Sequence, residues 1–145
     1  MTQKNELMTF WKQTLSFRDI ELNAFRNVNR EDFIPENFKS RAYEDVPLPI
    51  LRGKTISQPT TVMMMTHALE LHPGEKVFEV GAGSGYQSAI IAKIVGSKGK
   101  VVTAEVLPEL VSFAKQNLAK AKIENVEIYE DDGSKGFEKE APFDK

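Results

Sequence analysis

The chain has 145 residues, no cysteine, 41% hydrophobic and 28% charged residues, and a formal net charge of −2. These values fit one globular domain without disulfides, and the near-neutral balance excludes the strongly basic footprint of a nucleic-acid or anionic-membrane binder. No apolar run reaches the roughly 18 residues of a membrane span, and the first residues carry no apolar leader, so a cytoplasmic protein with no membrane or nucleic-acid partner is expected.

In chain order, Leu7, Phe10, Trp11 and Leu15 recur at helical spacing and predict one buried face of a first helix. A second helix is predicted from Ile20 to Val28, with Leu22, Phe25 and Val28 inward. Pro35 ends helical geometry at Ile34. Tyr43 to Ile50 is expected to be extended, because Pro47 and Pro49 push their predecessors toward β or polyproline geometry. Such a stretch serves either as a linker or as the wall of a cleft.

Thr55-Ile56-Ser57-Gln58-Pro59 leads into a predicted helix from Thr60 to Leu71. Hydroxyls and an amide gathered at a helix N-terminus suit an incoming carboxylate, although Ser57 or Thr55 could equally be an ordinary cap. Met63, Met64 and Met65 are assigned to packing. His67 and His72 do not share a helix face and have no further ligand cluster beside them, so no metal site is expected.

The central stretch is Val77-Phe78-Glu79-Val80-Gly81-Ala82-Gly83-Ser84-Gly85-Tyr86-Gln87, followed by a helical segment to Val95. It reads as strand, tight glycine turn and helix, the form of a cofactor-binding loop. A dinucleotide fingerprint would need its third glycine at position 86, which is Tyr86. Glu79 before the turn would repel a pyrophosphate and suits a cation or an amino group. S-adenosylmethionine carries both and no phosphate. Lys100 to Glu105 is a second strand ending in a carboxylate, spaced so that Glu105 lies beside the glycine turn and can accept ribose hydroxyls. A helix from Pro108 to Ala121 turns Leu110, Val111, Ala114 and Leu118 inward, and a third strand runs from Val126 to Tyr129. Asp131-Asp132-Gly133 follows it and on its own reads as a plain turn.

Several of these blocks together resemble the protein-L-isoaspartate O-methyltransferases. They are Arg30-Glu31-Asp32-Phe33-Ile34-Pro35, Ala42-Tyr43-Glu44-Asp45, Pro47-Leu48-Pro49-Ile50, Thr55 to Pro59, Glu79 to Gln87, Asp132-Gly133 and Pro142-Phe143-Asp144. The glycine turn is shared by many methyltransferases, whereas Thr-Ile-Ser-Gln-Pro is far more specific to this family. The resemblance implies an α/β, Rossmann-like class I methyltransferase fold. Residues 1–58 would form a helical, substrate-side segment, and residues 59–145 a βαβαβ half that binds S-adenosyl-L-methionine. It further implies Ser57 as the active-site serine, with Thr55, Ile56 and Gln58 walling the substrate junction. Glu79, Gly81, Gly83, Ser84 and Gly85 would hold the methionine part of the cofactor, Glu105 the ribose, and Asp132 with Gly133 the adenine. The implied substrates are proteins or peptides with L-isoaspartyl residues.

In the family, Pro142-Phe143-Asp144 comes just before a fourth strand, so the first parallel strand is expected to show an unpaired edge and uncovered apolar surface. A truncated or split product is expected on the same ground. Rival readings are another class I methyltransferase, which would lack the Ser57 block, a nicotinamide oxidoreductase, and a non-catalytic remnant that binds cofactor or peptide.

Overall fold

Helix α1 (Gln3–Thr14) starts where Thr2 Oγ1 accepts the Asn5 N–H at 3.3 Å, and α2 (Asp19–Asn27) packs beside it. The inward residues of α1 are Leu7, Met8 and Trp11, while Phe10 is 50% exposed, against expectation. Trp11 sets the rotation: its ring meets Phe17 and Phe25 edge-on, and its indole N–H donates to Thr60 Oγ1 at 2.8 Å. In α2, Leu22 and Phe25 are buried, and Val28 just beyond it is buried too. The computed structural model describes residues 1–145 throughout.

Two 3-10 turns, Arg30–Phe33 and Glu36–Arg41, flank an extended Ile34 before Pro35. The proline-rich stretch then does more than extend. Strand β1 (Leu48–Pro49) pairs antiparallel with β2 (Thr55–Ile56), Leu48 opposite Ile56, around a turn at Leu51–Gly53. Helix α3 (Pro59–Ala68) is shorter than predicted, because the chain leaves it at Leu69 and Glu70 takes φ 50°. Val62, Met63 and Thr66 face inward, whereas Met64 and Met65 are 53% and 59% exposed. The packing assignment holds only for Met63.

The remainder is a βαβαβ unit: β3 (Lys76–Val80), α4 (Tyr86–Val95), β4 (Lys100–Glu105), α5 (Pro108–Lys120) and β5 (Val126–Glu130). Its strands are parallel in the order β3-β4-β5, with Val77 opposite Val101 and Val101 opposite Val126. Helices α4 and α5 pack together on one face, burying Leu110, Val111, Ala114 and Leu118 as expected. One continuous apolar cluster joins this core to Leu7, Trp11 and Phe25 of the first two helices.

The second face of a parallel sheet also needs cover. Here residues 133–145 supply it: Phe143 and Phe137 stack on Phe78 at 5.1 and 6.3 Å, and Glu140 bridges Lys76 and Lys100 at 3.1 and 3.0 Å. The same segment alters the outer edge of β3. Asp144 N–H donates to the Lys76 carbonyl and Phe78 N–H to that of Lys145, so only the upper part of the edge is open, where Val80 is 61% exposed. The expectation of a wholly unpaired edge is corrected accordingly.

Candidate functional site

At the carboxyl ends of β3 and β4, the chain must turn tightly under a helix start. Gly81 and Gly83 take φ of 86° and 55°, and a Cβ built on either would meet nothing within 4 Å, so both turn an open side outward. Gly85 shares the positive φ, at 86°, and is required for a second reason: its Cβ would press Ala114 and Leu118 at 3.3 Å, so this glycine seats α4 against α5. The Ser84 hydroxyl accepts from Tyr86 N–H at 3.3 Å and its carbonyl from Asn117 at 3.0 Å, so Ser84 braces the turn from behind.

Two carboxylates flank the turn. Glu105 is buried and accepts Gly83 N–H at 3.0 Å on Oε2 and Leu107 N–H at 3.1 Å on Oε1, which ties the end of β4 to the glycine turn. Glu79 accepts Ser88 Oγ–H at 2.5 Å and Thr103 Oγ1–H at 2.8 Å, both on Oε1. Oε2 has no protein donor. The residue is half-buried by surface, but its carboxyl sits deep among these groups. Burial first, and the nearby Glu105 charge, push it up to about 7, against the pull of the two hydroxyls.

Opposite the turn stands the hairpin. Thr55, Ile56, Ser57 and Val62 face Glu79, Gly81, Ala82, Gly83, Ser84, Tyr86 and Gln87 across a cleft whose enclosed part is about 120 Å³. That is smaller than the several hundred Å³ of a typical ligand pocket, so the enclosed part suits only the reacting ends of larger molecules. Gln58 does not line it; it occupies the N-cap position of α3 without a side-chain cap bond. Asp132 and Gly133 lie beyond β5, outside the enclosed part. Asp132 is exposed, and hydrogen bonding by the Ser134 side chain first, and by its backbone N–H at 3.0 Å, holds its carboxyl below the usual range. A Cβ on Gly133 would stand 3.1 Å from Ala104 Cβ and 3.2 Å from Val80 Cγ1, so packing against the strand ends, rather than room for a ring, requires this glycine.

The N-terminus of α3 departs from expectation. Ser57 and Thr55 do not cap it, and it has no vacancy for an anion. Asp45 fills the position, accepting Thr60 N–H at 2.9 Å and Thr60 Oγ1–H at 2.6 Å. The Ser57 side chain therefore stays exposed, with no hydrogen bond of its own. Its carbonyl accepts from Arg30 Nη2 at 3.0 Å. Arg30 and Asp45 carry this wall, yet sequence reasoning gave neither a role. The available signal was Pro47 and Pro49: a stretch short of N–H donors cannot pair its own carbonyls, so donors must arrive from elsewhere.

A parallel sheet with a glycine turn between two acid-tipped strands defines a Rossmann-like fold of the class I methyltransferase kind. Comparison with known proteins is more specific. The model of the family described as protein-L-isoaspartate(D-aspartate) O-methyltransferase matches residues 2–145, and the chain belongs to that family. It is 48% identical over 134 residues to protein-L-isoaspartate O-methyltransferase 2 of Archaeoglobus fulgidus, covering 92% of this chain and 61% of the relative. A solved protein-L-isoaspartate O-methyltransferase superposes with TM-score 0.88 at 31% identity, over 97% of this chain and 46% of the other. A Plasmodium falciparum protein described as the same enzyme in complex with S-adenosyl-L-homocysteine gives TM-score 0.79 at 26% identity, over 97% and 67%. The chain thus spans about three-fifths of the length of its Archaeoglobus relative.

Proposed function

We propose that this chain takes part in methyl transfer from S-adenosyl-L-methionine to the free carboxylate of L-isoaspartyl residues in damaged cytoplasmic proteins or peptides. The observation that carries the reading is one shared cleft, lined by a serine whose hydroxyl has no hydrogen-bond partner and by a strand-end carboxylate with one oxygen unclaimed. The S-adenosyl-L-homocysteine bound to the Plasmodium relative supports the choice of donor.

The residues present fit such a donor. Gly81 and Gly83 offer bare backbone, and Glu79 Oε2 can accept from an ammonium group. Glu105 has one protein donor on each oxygen, which leaves lone pairs for ribose hydroxyls, and exposed Asp132 can accept from an exocyclic amine. When bound, the cofactor supplies an activated methyl group. An isoaspartyl carboxyl, with a pKa near ~4, is already ionised at neutral pH, so this chain has no proton to remove. Ser57 then donates a charge-assisted hydrogen bond that aims the carboxylate, and Thr55 and Ile56 wall its approach.

The test is calorimetric titration of the chain with S-adenosyl-L-methionine, followed by transfer of labelled methyl to an isoaspartyl peptide. Ser57→Ala should lower turnover about a hundredfold, the scale of losing one preorganised donor, with donor affinity unchanged. Equal turnover sinks the role of Ser57. Binding without transfer would confine the proposal to donor binding by these residues.

A further inference from the structure

Arg30 is fully buried, and no carboxylate oxygen lies within ion-pair distance of its guanidinium. An unpaired buried charge is costly and persists only where its donors are taken up. Four backbone carbonyls take those of the two Nη nitrogens, while the buried Nε has no partner. Nη1 donates to Ala42 at 2.7 Å and Glu44 at 3.4 Å, and Nη2 donates to Val46 and Ser57, both at 3.0 Å. One nitrogen therefore clips together the two legs of the β1-β2 hairpin.

That hairpin needs a clip. Its ladder has two residue pairs, and Pro49 contributes no N–H to either. A hairpin this short does not hold itself in water. Ser57 lies one residue past β2, and Asp45, between two carbonyls bound to Arg30, caps α3 three residues further on. Drawing the Ser57 carbonyl inward leaves its hydroxyl on the cleft side. On the opposite wall, the glycine turn is held by Ala104, Glu105 and Asn117, none of which is hydrogen-bonded to Arg30; Tyr86, at the start of α4, lies near enough to feel its charge but does not bond it.

We propose that Arg30 is a positioning residue for Ser57, fixing the acceptor wall of the cleft independently of the donor wall. The kinetic part of the inference rests on the methyl-transfer reading above. Lysine is no equivalent, since it cannot span four carbonyls from one planar fork.

The experiment compares the full chain with Arg30→Lys, Ser57→Ala and the double variant. Arg30→Lys should bind S-adenosyl-L-methionine within about twofold of the parent while its kcat falls about tenfold or more, the cost expected of a misplaced reacting group. In the Ser57→Ala background the same change should cost less than about twofold, because the group it positions is gone. Additive losses, a parallel fall in donor affinity, or full-speed turnover by Arg30→Lys overturns the inference. Should the parent transfer no methyl, the functional reading fails alone and hydrogen exchange decides. Amides of residues 55–58 should then exchange about tenfold faster in Arg30→Lys with residues 81–85 unchanged, and equal effects on both segments overturn the inference. If the lysine variant does not fold, Arg30→Gln, which keeps an NH2 donor without the charge, takes its place. If neither folds, the unaltered chain is decisive: residues 42–46 and 55–58 should open as one unit, and independent opening counts against the clip.

Discussion

The two walls of the cleft are built by opposite means. The glycine wall is backbone: Gly81 and Gly83 at positive φ, with the strand-end Glu105 accepting the Gly83 N–H and Asn117 donating to the Ser84 carbonyl. The serine wall is a thin hairpin with no turn geometry of that kind to hold it, and its shape comes from side chains: Arg30 donates to the Ser57 carbonyl and Asp45 accepts from Thr60. A wall made of backbone conformation tolerates the loss of a partner but not a residue that resists positive φ, even where there is room for its side chain. A wall made of side-chain donors tolerates bulk at its exposed face but not the loss of one donor group.

Stability measurements would sharpen that contrast. The largest effect is expected from Arg30→Ala, which strands one buried carbonyl, that of Ala42, and three part-buried ones at roughly 1–3 kcal/mol for each that stays dry. Allowing for water entry, denaturant unfolding should show a loss of about 3 kcal/mol or more, a large part of the ~5–15 kcal/mol that holds a domain together. Next comes a pH effect on the glycine wall. With its carboxyl raised from 4.5 to about 7, folded Glu79 keeps a proton that the unfolded chain has released across that window. Stability should therefore fall as pH rises from 4.5 to 7, by about 2 kcal/mol after discounting for partial exposure, and Glu79→Gln should flatten the slope. Asp45→Ala removes the cap of α3 and should cost about 1 kcal/mol in the same unfolding assay. Ser57→Ala should change stability by less than about 0.5 kcal/mol, because its hydroxyl bonds to nothing in the protein. A large loss there would mean that the serine is a brace for its wall.

The glycine wall was readable from sequence because its causes are local. Alternate glycines after an apolar strand permit little besides a tight turn, and Glu79 and Glu105 stand at strand ends that β-pattern alone locates. The inward face of α5 was legible for the same reason, four apolar residues at helical spacing. The serine wall was not. Nothing near Arg30 marks it as buried, and the return strand Thr55–Ile56 is too short to show a period. Phe10 and Met8 are equally apolar, and only the aromatic contacts of Trp11 decide which one turns inward. Met64 and Met65 differ from Met63 only in which side of α3 the neighbouring elements cover. Gly133 was recognised as special, but its reason lies in Val80 and Ala104, side chains of other strands.

The covering of the sheet's second face by residues 133–145 has a consequence for the solution behaviour of the molecule. Within residues 133–145 the contacts with that face are one carboxylate spanning two ammonium groups and a short pile of phenyl rings. The ion pairs face water, so added salt weakens them while leaving the helical layer untouched. Added salt should therefore loosen the Glu140 end of this cover, while the ring stack and the two backbone hydrogen bonds to β3 keep Phe78 shielded.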